Sequence, residues 1–135
     1  MKALKKYVLD SYAILAYFQN ESGAQVVEKM LLDAGNQSVK LFMSAVNLGE
    51  TVYITQRKSG AKGKRSLLLA LDMLPIYIED VTKDLALRAA DLKAKYAISY
   101  ADCFTAALAI SHGVPAITGD PEFKKIEHLV KIKWL

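Results

Sequence analysis

Four acids carry the chemistry available to this sequence: Asp10, Glu50, Asp102 and Asp120. Asp10 closes the short apolar run Lys6-Tyr7-Val8-Leu9, and Asp120 stands just beyond Val114-Pro115-Ala116-Ile117-Thr118. Glu50 falls in the second turn of a helix that leaves Lys40-Leu41-Phe42-Met43. Asp102 falls in the first turn of Ser99–Ile110, a segment with hardly any polar face, as a buried helix has. An ionised carboxylate in such surroundings is costly unless it is paired or bound to a cation. No basic residue accompanies the four, so once gathered they repel one another. A hard divalent cation resolves that repulsion, and Mg²⁺ or Mn²⁺ prefers oxygen ligands. His112, His128 and Cys103 form no cluster with zinc-ligand spacing, so zinc is not expected.

Each acid also has a purely structural reading. Ser99-x-x-Asp102 is close to a capping box, and an acid in the first turn suits the helix dipole. Asp10 can cap the helix that begins at Ser11 or Tyr12. Asp120 before Pro121 reads as an N-cap with proline at the first helical position. Glu50 can reach solvent or pair with a lysine or arginine. Singly these readings hold their own. What favours a metal site is that all four acids can be brought to one edge of a sheet.

That edge follows from the order of elements. Lys6–Leu9, Lys40–Met43, Ile76–Ile78 and Val114–Thr118 read as short buried strands, and Leu129–Trp134 as an alternating strand at or near an edge. Helices alternate with them: Tyr12–Phe18; a segment from Ser22 or Gly23 to Gly35; Ala45–Lys58; Ser66–Leu74; Lys83–Lys95; and Ser99–Ile110. The pattern predicts a parallel sheet covered on both faces. Ligands of such sheets bind outside the carboxyl ends of the strands. Two successive helices between the third and fourth strands can return Asp102 to that side. In the Ala45–Lys58 helix, Asn47, Thr51 and Thr55 form a plainly polar arc, with Glu50 on its flank. Arg57–Arg65 reads as a basic, glycine-containing turn.

The chain has 135 residues, which suits one domain spanning 1–135, and 53% of them are hydrophobic, enough for a substantial core. Its net charge of +4 favours an anionic partner such as nucleic acid. No apolar run is long enough to span a membrane, and Met1-Lys2-Ala3-Leu4-Lys5-Lys6 leads into no signal peptide. The single Cys103 permits no internal disulfide and fits a reducing cytoplasm. Its apolar neighbours read as packing around a core thiol, and His112 as a cation at a helix C-terminus.

The motifs Tyr7-Val8-Leu9-Asp10-Ser11-Tyr12-Ala13, Glu50, Ser99-Tyr100-Ala101-Asp102-Cys103-Phe104-Thr105-Ala106-Ala107-Leu108-Ala109 and Thr118-Gly119-Asp120-Pro121-Glu122-Phe123 together resemble the PIN domain. They are most similar to the VapC-type toxins of prokaryotic toxin–antitoxin systems. The resemblance covers essentially the whole chain, and its last two motifs are the most specific. It implies a three-layer α/β/α fold around a mainly parallel sheet and a Mg²⁺- or Mn²⁺-dependent ribonuclease. Asp10, Glu50, Asp102 and Asp120 match the family's four acids, Ser11 the neighbour of the first, and Thr118 a small hydroxyl that supports the metal shell. Gly49, beside Glu50, departs from the hydrophobic stretch usual there and weakens the helix locally.

The implied reaction is metal-assisted hydrolysis of a phosphodiester, with no protein nucleophile. Asp10, Asp102 and Asp120 would hold one or two cations, and Glu50 a second ion or the attacking water. Arg57 and Lys58 in the basic turn are candidate contacts for RNA phosphates, and Lys124 and Lys125 are better placed. The resemblance further implies a cognate antitoxin and a homodimer, and the apolar content around residues 45–74 agrees with self-association. Two other readings share the motifs: an RNA-processing nuclease without a toxin role, and a non-catalytic RNA- or protein-binding module. A phosphotransfer domain ranks last, because Asp10-Ser11-Tyr12 lacks the Asp-x-Asp such phosphatases use.

Overall fold

Alternation along the first two strands sorts the core into two halves. In β1 (Lys5–Leu9) and β2 (Val39–Ser44), Val8 and Phe42 face one side, while Leu9, Leu41 and Met43 face the other. The computed structural model describes residues 4–135. Met1-Lys2-Ala3, part of the segment read above as carrying no signal peptide, lies outside the described residues.

Three further strands, β3 (Ile76–Glu79), β4 (Ala116–Thr118) and β5 (Ile132–Trp134), complete a sheet of order β3-β2-β1-β4-β5. All four pairings are parallel, with Tyr7 beside Leu41, Val8 beside Ala116 and Leu41 beside Ile76. Helices α1 (Ser11–Phe18) and α2 (Ala24–Gly35) cover the Leu9 face. Helices α4 (Lys83–Lys95) and α5 (Tyr100–His112) cover the Val8 face, joined by Phe123 and Ile126 of a 3-10 helix, Pro121–Ile126. This is the three-layer α/β/α arrangement expected, with β5 at an edge. The strand order reverses between β1 and β4, so their carboxyl ends open the crevice where ligands of such folds bind. Among the described residues no helix is long and apolar enough to cross a membrane.

Helix α3 (Ala45–Asp72) departs from expectation at its middle. The basic stretch Arg57–Arg65 is not a turn: it stays helical except at Gly60, whose φ of 69° and ψ of −168° break the helix at one residue. Only glycine reaches that conformation cheaply. Gly63 then lets the next turn close on the last, since a Cβ there would collide with that of Ser59. Two residues of the polar arc, Asn47 and Thr51, are fully buried. Burial is tolerated because their polar atoms are paired, Thr51 Oγ1 with the Asn47 carbonyl at 2.8 Å and Asn47 with Ser44 and Ala101.

Candidate metal centre

Asp10 leaves β1 in extended conformation and caps α1, its Oδ1 accepting from the Ala13 amide at 2.8 Å. The side chain has no solvent exposure, and Oδ2 has no hydrogen-bond partner among the described residues. Asp102 sits in the first turn of α5, where its amide donates to Ser99 Oγ at 3.2 Å, and it too is buried. Asp120 follows β4. Its amide donates to Thr118 Oγ1 at 2.9 Å and its Oδ1 accepts from the Glu122 amide at 2.9 Å, so it caps the 3-10 helix. Half-buried Glu50, in the second turn of α3, accepts the Ser11 hydroxyl. The caps read from sequence are therefore real, and they aim the acids without using all their oxygens.

The carboxylates feel one another. Burial pushes Asp10 up to about 7, and the charges of Asp120 and Glu50 add to it, against the opposing Thr118 hydroxyl and Ala13 amide. Asp102 rises to about 8, first through burial, then through a hydrogen bond with Asp120 and the charges of Asp120 and Asp10. The charges of Asp120 and Glu50 thus reach Asp10, and those of Asp120 and Asp10 reach Asp102, from the ends of different strands and helices. Among the described residues no three acid, histidine or cysteine side chains already enclose a single point. The donor set nevertheless fits a hard divalent cation. All of it is oxygen, and among the described residues the four acids have no salt-bridge partner and one buried carboxylate oxygen is unsatisfied.

Sequence reasoning missed the residues that brace the acids. Asn47 accepts from Ser44 Oγ at 2.6 Å and donates to the Ala101 carbonyl at 3.1 Å, linking the helix of Glu50 to that of Asp102. Its spacing from the cap, Ser44-x-x-Asn47, is the signal that was available. Lys93 and Lys125 donate to the Ile98 and Ala97 carbonyls, each at 2.7 Å, and the Tyr96 hydroxyl lies 3.1 Å from His128 Nε2. These contacts hold the loop that launches α5. Lys125, read as a phosphate contact, is exposed like Lys124, Arg57 and Lys58, but its ammonium also donates to a backbone carbonyl; Arg57 lies over the Tyr53 ring.

Other groups are structural. His112 pairs with Glu79 at 2.5 Å and stacks on Phe42. Cys103 is buried, and burial pushes its thiol up to about 11, so it is no nucleophile. A cleft of about 850 Å³ lies at the amino ends of β1 and β2 among Tyr7, Val26, Met30 and Val39, away from the four acids.

Comparisons with known proteins agree with this geometry. A family described as "PIN domain" matches residues 7–129. No curated protein matches the chain. Among solved structures, DNA-bound VapBC from Salmonella typhimurium superposes with a TM-score of 0.74 at 17% identity, covering 97% of this chain and 98% of that one. VapBC2 from Rickettsia felis bound to a promoter fragment gives 0.71 at 20% identity, covering 95% and 97%. Mycobacterium tuberculosis VapC20, described as a sarcin-ricin loop cleaving toxin, gives 0.72 at 17% identity, covering 94% and 98%. At these identities the likeness is one of fold.

Proposed function

The chain belongs to the PIN-domain family, and from that premise we propose that it is a divalent-cation-dependent ribonuclease, the toxin of a toxin–antitoxin pair. The observation that carries the reading is the unpartnered, buried Asp10 Oδ2 in the field of Asp120, Glu50 and Asp102. Asp10, Asp102 and Asp120 are the residues that would hold Mg²⁺ or Mn²⁺. When bound, such a cation lowers the pKa of its water and offsets charge developing on a phosphate. Glu50, steered by the Ser11 hydroxyl, is placed to orient the attacking water or to join the metal shell. Thr118 fixes the Asp120 backbone, and so the direction of the fourth carboxylate.

The net charge of +4 supports an RNA partner, with Lys124, Arg57 and Lys58 as phosphate contacts. Structures similar in fold are VapBC complexes, and one is described as cleaving the sarcin-ricin loop. These support an antitoxin partner and an RNA substrate here. Exposed Leu68, Leu69 and Met73 support pairing with a second copy.

The test compares wild type with Asp10→Asn and Asp102→Asn on structured RNA, in Mg²⁺, in Mn²⁺ and in chelator. Cleavage is expected only from wild type with a cation. Equal cleavage by all three proteins, or cleavage in chelator, would overturn the reading.

A further inference from the structure

Tyr12 lies two residues beyond Asp10, and its ring rests on Gly119, the residue before Asp120. A Cβ at Gly119 would overlap the ring, meeting Cζ at 2.9 Å. The ring therefore spans from the first acid to the fourth, and glycine is what lets it approach the backbone. Yet Tyr12 stays 41% exposed. An aromatic side chain held on one side by backbone and open on the other loses little freedom when something flat is laid against it. A tyrosine that served only the core would bury its ring.

From this arrangement we infer that Tyr12, seated on Gly119, forms a nucleobase subsite that stacks an unpaired base of the RNA beside the bond to be cleaved. The inference rests on the ribonuclease reading and adds the substrate class: RNA with a single-stranded nucleotide at the cleavage site. Acids and cation can address only the phosphate, and every phosphate is alike. Register on the strand has to come from a neighbouring group, and bases splayed from the helix are read by stacking on aromatic rings. Stacking tolerates any base, so Tyr12 selects an unpaired nucleotide, not a particular letter. Tyr100 is a second half-exposed ring, two residues before Asp102 and set edge-on to Phe104 at 5.0 Å.

The experiment first establishes that the full-length wild-type chain cleaves a single-stranded oligoribonucleotide in Mg²⁺. Failure there overturns the ribonuclease reading, and the subsite with it. Steady-state kinetics are then compared for wild type, Tyr12→Phe, Tyr12→Leu and Tyr12→Ala. Tyr12→Phe is expected to match wild type. Tyr12→Leu keeps a side chain over Gly119, and Tyr12→Ala removes it; both are expected to raise KM roughly 5- to 100-fold with kcat far less affected.

An RNA carrying 2-aminopurine at successive positions, bound to Asp102→Asn protein, is expected to be quenched at one position next to the cleavage site. That quenching should vanish when Tyr12→Leu is added. If wild type cleaves but Tyr12→Leu and Tyr12→Ala keep its KM, the subsite is overturned alone. The same follows if Tyr12→Phe fails as badly as they do, or if no position is quenched.

Discussion

The Asn47 side-chain amide donates to the Ala101 carbonyl across 3.1 Å, and through that bond the helix bearing Glu50 is fixed to the helix bearing Asp102. Asn47 is out of reach of water and is also held by Ser44. Removing the amide takes the acceptor from the buried Ser44 hydroxyl proton, though Ser44 Oγ keeps the residue-47 backbone amide, and takes one donor from the Ala101 carbonyl, which costs about 1–3 kcal/mol. Asn47→Ala is expected to lose that much stability in urea unfolding. It should also weaken Mn²⁺ binding, measured by calorimetry, roughly 10- to 100-fold, as loss of groups behind metal ligands does. Unchanged Mn²⁺ affinity in a folded Asn47→Ala protein would show that the bond braces the fold alone.

Neighbouring lysines should separate cleanly. Lys124 and Lys125 are both exposed, but Lys125 donates to the Ala97 carbonyl at 2.7 Å. Lys125→Met loosens the loop before Asp102 and is expected to lower kcat about tenfold, in the range seen for groups that orient metal ligands. Its RNA affinity should stay near wild type, and Lys125→Arg should restore part of the rate. Lys124→Glu is expected to do the reverse, weakening RNA binding and flattening its salt dependence while kcat holds. Swapped phenotypes in filter binding and single-turnover assays would return Lys125 to the role of a phosphate contact.

These contacts also mark where sequence reading stopped. Asp10 and Asp120 were legible because each follows an apolar strand and precedes a cap, and Asp102 because its helix has no polar face to put outward. The alternation that separates Val8 from Leu9 was enough to require two covered faces. Asn47 and Thr51 were legible only as a polar arc, without the side to which it turns. Asn47 finds inside a carbonyl acceptor 54 residues away, a partner no local pattern reveals, while Thr51 bonds to the Asn47 carbonyl one turn back. The bond from Lys125 to an acceptor 28 residues back was hidden for the same reason. The supposed turn at Arg57–Arg65 rested on composition, and composition does not say that a single glycine takes the whole break.

That break gives a stability prediction independent of chemistry. Gly60 has a φ of 69°, where a side chain is strained, so Gly60→Ala should cost roughly 1–3 kcal/mol. Gly63→Val must push Ser59 aside, and overpacking of that kind costs about 1–3 kcal/mol. Each is expected to lower the midpoint of urea unfolding without changing its slope. A variant as stable as wild type would mean that the two halves of α3 separate freely at this crossing.

The raised carboxyls predict how stability should follow pH. Asp10 titrates at 3.8 when free and at about 7 when folded, and Asp102 at about 8. The folded chain thus holds protons that the unfolded chain has released. The stability this contributes is fully present below pH 3.8 and is lost as pH rises through about 7 and 8. Every tenfold difference in proton affinity between the folded and unfolded chain is worth about 1.4 kcal/mol, so each of the two carboxyls contributes on the order of a few kcal/mol to the loss. In chelator, Tm should fall from pH 5 to pH 8.5. Mg²⁺ should raise Tm more at pH 8.5 than at pH 5, because only the ionised acids bind it. Asp10→Asn keeps an oxygen to cap the Ala13 amide and removes one charge. In chelator at pH 8.5 it should melt above wild type, and Mg²⁺ should add little. A wild-type Tm that is level or rising across this range, or an Asp10→Asn protein that melts lower at pH 8.5, would mean that Asp10 is ionised and satisfied in the cation-free fold.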